Sequence, residues 1–144
     1  VTTMFLSIAV FGLVLSPQLA LAEISVDSYC QLSIQSMQQE VSNFQELIAL
    51  ADQYKNDPET LAQKEEIKRA EFDQAKEALY SSFSTTAEEY VMYMGKNGQE
   101  VNKYLDTNPD IKQQIDTLSA QVNALLEEYE SLKGSGEPPG PPLP

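Results

Sequence analysis

The chain has no histidine, no tryptophan and a single cysteine in its 144 residues, and no lysine or arginine precedes Lys55. Each gap removes a class of chemistry. Without histidine there is no histidine-dependent triad, no imidazole metal ligand, no haem ligand of that kind and no Glu-x-x-His di-iron pair. One cysteine makes neither a cysteine metal knuckle nor an intramolecular disulfide. Nine basic residues against twenty-two acidic ones leave a formal charge of -13. Binding to phosphates rests on Lys and Arg, so this balance argues against nucleic acid and against anionic membrane surfaces as partners. The length suits one small domain.

The longest uncharged run is MFLSIAVFGLVL, Met4 to Leu15, followed by Ser16-Pro17 and then by Ala20-Leu21-Ala22 ahead of Glu23. A twelve-residue apolar core ending in a small-x-small triplet is the pattern of a secretory signal. A membrane-spanning helix needs about 20 apolar residues. Residues 1–22 are therefore expected to be a signal peptide, which directs residues 23–144 to the periplasm or the exterior. No membrane association is expected after cleavage. Every charged residue lies at or after Glu23, so the processed chain keeps the full -13. Tyr29 stands immediately before Cys30 where a lipidated cysteine would follow small residues, which argues against a lipid anchor.

From Val26 onward the chain reads as four helical segments with short joints. In the first, Cys30, Ile34, Met37, Val41, Phe44, Ile48 and Ala51 recur at alternating spacings of four and three, a coiled-coil-like seam. The Gln and Ser residues between them are expected to form the solvated side. Asn56-Asp57-Pro58-Glu59 ends this helix and begins the next: Asp57 suits an N-cap, and Pro58 suits the first helical position. The second helix carries Leu61, Phe72, Ala75, Leu79 and Phe83 on one side. Glu65 and Lys68 intrude on that side, so its first turns are expected to pack poorly. Glu65–Arg69 and Asp73–Lys76 pairs would add tenths of a kcal/mol each.

Ser81 to Thr86 is the principal question of architecture. Thr85 and Thr86 with Glu88 and Glu89 resemble a capping box, so a third helix is expected to start there. Against a break, no Gly or Pro is present, and Phe83, Ala87, Tyr90, Met94, Val101 and Leu105 continue the apolar stripe in phase. Gly95 and Gly98 form a second weak point. The last helix follows Asn108-Pro109, with Ile111, Ile115, Leu118, Val122, Leu125, Tyr129 and Leu132 again at four-three spacing. With a break near Ser84 the expected spans are about 28–55, 58–82, 86–106 and 109–133. These make an all-α, antiparallel up-down helical bundle with coiled-coil-like heptad seams over residues 23–133. Without the break, one long middle helix would give an extended three-helix rod that needs a second chain. Residues 134–144, GSGEPPGPPLP, are expected to be a disordered Gly/Pro-rich tail.

Candidate sites are few. Glu65-Glu66, Glu88-Glu89 and Glu127-Glu128-Glu130 are sequence neighbours, which point about 100° apart on a helix and do not converge on one ligand. Met92 and Met94 face different sides, so Met94 reads as core and Met92 as surface. Tyr90, Met94, Val101 and Tyr129 define the one conceivable ligand pocket. Cys30, in the first seam, reads as a buried small hydrophobe, with an intermolecular disulfide as the other possibility. No catalytic, cofactor-binding or metal residue and no cofactor is assigned. The expected function is that of an exported, non-enzymatic helical interaction or scaffolding protein, acting through a protein partner or through self-association along its seams. The alternative is a small-molecule or cation-binding helical bundle.

Overall fold

A computed structural model describes residues 24–134. The expected signal peptide lies outside the described residues, as does the tail from residue 135 onward. Four α-helices make up the described chain: α1 (Val26–Gln53), α2 (Pro58–Ser82), α3 (Ala87–Thr107) and α4 (Pro109–Gly134). No strand occurs among the described residues. The fold is an all-α helical bundle.

Local chemistry sets each boundary. Ser25 caps α1, its hydroxyl accepting the Ser28 amide at 3.1 Å. Asp57 caps α2 by accepting the Thr60 amide at 3.1 Å, with Pro58 at the first position as expected. Between α2 and α3 the break is real and has two parts. The Ser84 amide donates to the Ser81 carbonyl and the Thr85 amide reaches back to that of Tyr80. This is the Schellman arrangement, and it places Ser84 in the left-handed region at φ 55°. Two residues later Thr86 and Glu89 form a reciprocal capping box that starts α3. The long middle helix of the rod is thereby interrupted. At the α3–α4 joint, Asn108 closes α3, its side-chain amide donating to the Tyr104 carbonyl at 2.8 Å.

α2 runs back along α1: Lys68 meets Glu46 at 3.2 Å, Lys76 meets Glu40 at 3.4 Å, and Phe72 and Leu61 pack on the Phe44–Ala51 stretch. α3 then crosses instead of returning along the body. Tyr90 bonds Ser33 and Tyr104 bonds Asp27. Fourteen residues of α3 rise about 21 Å while their partners on α1 are only about 9 Å apart along that helix. The crossing is therefore steep. Both ends of α3 lie at the N-terminal end of α1, so α4 starts beside Cys30, where Ile111 and Ile115 pack. It finishes with Tyr129 against Leu47 and Ala51. α4 thus runs parallel to α1 and makes the most extensive interface in the molecule with it.

The side-chain pattern departs from the sequence reading in three places. Ser33 and Ser36, expected on the solvated side of α1, are buried. Their small side chains suit the crowded region where α2 ends and α3 crosses. In α3, Tyr93 is buried whereas Met94 is 42% exposed, beside a Met92 that is exposed as expected. The buried face of α3 is rotated towards Tyr93, while Tyr90, Val101 and Leu105 of the expected stripe still pack on α1 and Met94 turns out. Gly95 and Gly98 do not interrupt α3, which is continuous through both.

Candidate functional site

Two side-chain clusters occupy opposite ends of the body. At the end where α3 crosses, four tyrosines cluster, with Tyr29 stacked on Tyr90 and Tyr93 and Tyr80 tilted against Tyr90. Tyr29 lies 4.6 Å from Tyr93 and 4.9 Å from Tyr90 between ring centres, and Tyr80 lies 5.3 Å from Tyr90. The Tyr90 hydroxyl donates to Ser33 at 2.9 Å, and Ser33 donates onward to the Tyr29 carbonyl at 2.8 Å. Burial pushes the Tyr90 phenol up to about 12, opposed by the Ser33 bond and reinforced by the neighbouring phenols. Cys30, fully buried between Tyr93 and Val101, is a free thiol. Burial first, and the charge of Asp27 second, push it above the usual thiol range. A thiol so placed is a packing group and a poor nucleophile.

At the other end α2 and α4 face each other across α1. Among the described residues no Cα of one helix comes within 8 Å of a Cα of the other. Long polar side chains bridge the gap. Glu65 is only 6% exposed and accepts the Tyr129 hydroxyl on Oε1 at 2.5 Å and the Lys133 ammonium on Oε2 at 2.9 Å. Arg69 donates to the same tyrosine oxygen at 3.2 Å and lies over its ring. Burial drives the Glu65 carboxyl up. The bonds from Tyr129 and Lys133, with the charges of Lys133 and Arg69, outweigh it and hold the group below its ordinary value. The misfit that sequence placed on the inner face of α2 is thus a satisfied buried carboxylate. The residues expected to pair along α2 bond elsewhere: Arg69 to Tyr129, and Lys76 to Glu40.

Two depressions flank this bridge. One is a cleft of about 470 Å³ at the open end of the body, walled by Ala51, Tyr54, Pro58, Leu61 and Leu132, with Asp52, Lys55, Glu65 and Lys133 as its charged groups. The other is a furrow of about 310 Å³ lying over α1 between α2 and α4. Phe44, Leu47, Phe72, Val122 and Leu126 wall it, and Glu40, Asn43 and Arg69 supply its polar groups. Tyr90, Met94, Val101 and Tyr129 do not meet: Tyr90 and Val101 belong to the tyrosine end, Met94 points out, and Tyr129 sits with Glu65. The sequence offered no sign of the furrow, which exists because α3 leaves the body.

Among the described residues no three His, Cys, Asp or Glu side chains converge in a way that would hold a metal ion. No helix among them is long and apolar enough to cross a membrane. A scan against protein-family models finds no match, and no curated protein or solved structure is significantly similar to the chain.

Proposed function

We propose that this is a non-enzymatic helical interaction or scaffolding protein, exported to the periplasm or the exterior, that takes a helical segment of a protein partner into the furrow between α2 and α4. The observation that carries this reading is the incomplete bundle. α3 crosses the end of the body, so among the described residues no fourth helix lies above α1 between α2 and α4, and the apolar side chains Phe44, Phe72, Val122 and Leu126 line that furrow. An amphipathic helix presenting apolar residues at i, i+3 and i+4 fits a furrow of this kind, and the polar rim of Glu40, Asn43 and Arg69 gives it a register. The net charge of -13 favours a partner face that is neutral or basic. Export rests on the signal-like pattern of residues 1–22.

The test compares wild type with Leu126→Glu, a change at a rim position that is already 37% exposed. Both proteins are tagged, expressed in the native host and cross-linked in the envelope and secreted fractions. A specific protein retained by wild type and reduced at least tenfold by the variant, with unchanged circular dichroism, supports the reading. Equal retention by both removes it. The cleft of about 470 Å³ favours a second reading, a small-molecule-binding bundle. Native mass spectrometry of residues 23–144 decides that one: a reproducible mass excess lost on denaturation supports it, and a bare mass rejects it.

A further inference from the structure

The joint between α2 and α3 is held bent by a residue poorly suited to the bend. Ser84 occupies the left-handed position that glycine normally fills, at φ 55°. No glycine or proline lies in the Phe83–Thr86 joint, so nothing covalent prevents residues 58–107 from forming one helix. In that single helix Leu79, Phe83, Ala87, Tyr90, Met94, Val101 and Leu105 share a face. The bent form breaks this alignment, and within α3 Val91 is 72% exposed and Met94 42%. The largest interface of the molecule, α1 with α4, joins segments on opposite sides of that one strained turn.

We infer that the chain forms a dimer by exchange, in which α3 and α4 of one copy seat on α1 and α2 of a second copy. Short hinges under strain favour such exchange, and a twofold swap closes on itself without propagating. The surface taken already fits its occupant, because the contacts between the α1–α2 half and the α3–α4 half away from the joint are remade between two chains. Tyr90 bonds Ser33, Tyr104 bonds Asp27 and Tyr129 bonds Glu65, as they do in the monomer. Only the joint changes. Ser84 enters the right-handed helical region, and the carbonyls around it gain partners one turn ahead. The Thr86–Glu89 capping box is given up. The two straightened helices pass each other at the twofold axis, where Phe83, Val91 and Met94 of both copies cover one another. The association uses the joint and not the α2–α4 furrow, so it stands apart from the partner-binding reading.

The experiment refolds the full chain from denaturant at low micromolar and at near-millimolar concentration, followed by size exclusion with light scattering. The expected result is monomer from the dilute sample and a rising share of dimer from the concentrated one. Ser84→Gly, which favours the bend, weakens dimerisation about tenfold. A second variant identifies the exchange itself. Gln38 of α1 and Gln114 of α4 line one shallow groove on the surface, and both are exposed. A chain carrying Gln38→Cys and Gln114→Cys is treated with a short bis-maleimide while the buried Cys30 stays in place. In an exchanged dimer the link joins two chains and survives as a covalent dimer on a denaturing gel. A purified dimer whose links stay within single chains overturns the proposal, as does a chain that remains monomeric at every refolding concentration.

Discussion

Glu65 shows how one residue ties three helices into a body. It comes from α2, its hydrogen-bond donors Tyr129 and Lys133 come from α4, and the neighbouring Leu61 packs beneath it against the Ala51 stretch of α1. Tyr129→Phe removes one donor and leaves Oε1 unsatisfied, a loss of about 1–3 kcal/mol that chemical denaturation will measure. The same bond fixes a pH dependence. The folded-state carboxyl lies below its ordinary value, so the stabilisation is complete above that value, near 4.5, and is lost as pH falls from there through the depressed folded value. Wild type is therefore expected to lose more stability than Tyr129→Phe across that acidic window. At the other end, Cys30 has no exposed surface. The native thiol is expected to resist a maleimide reagent and to react at once in denaturant, and non-reducing electrophoresis is expected to show no disulfide-linked dimer.

At the scale of the element, the helices were largely legible and their directions were not. Asp57-Pro58 and Thr86-x-x-Glu89 are local signals, and they place the starts of α2 and α3 within a residue of where the chain folds. What escaped is the left-handed turn at Ser84, because a serine there carries none of the signature a glycine would. That turn breaks α2 from α3 and lets α3 cross the body, where Tyr93 is buried and Met94 is turned out. The charged candidate was half legible: Glu65 was visible as a misfit, but its donors are 64 and 68 residues away and no local pattern announces them. The glycines of α3 give a separate prediction. A β-carbon added at Gly95 or Gly98 meets nothing within 4 Å. Gly95→Ala and Gly98→Ala should each stabilise the protein by about 1 kcal/mol. Thermal melts should rise by roughly 4 °C for each.

For the whole molecule, charge and apolar surface are kept apart. The acidic neighbours Glu66, Glu88, Glu127, Glu128 and Glu130 all stand exposed. Among the described residues the inner surfaces hold one buried carboxylate, Glu65, and it has partners. Self-association must bring two bodies of like charge together, so it should strengthen with salt as the repulsion is screened. Sedimentation of the concentrated, refolded protein between about 10 mM and 0.5 M ionic strength, where the Debye length falls from ~30 Å to a few Å, will test this. A dimer that weakens with salt would show instead that specific ion pairs hold it.

The parallel pairing of α1 with α4 sets the order in which the protein can be made. α1 has its principal partner in α4, so some 80 residues must be spanned before the main interface closes, a slow step of high contact order. Until Tyr129 and Lys133 arrive, α1 and α2 together form a hairpin whose Glu65 lacks both of its α4 donors. A chain still being synthesised therefore stays short of its native packing until α4 is free to close on α1.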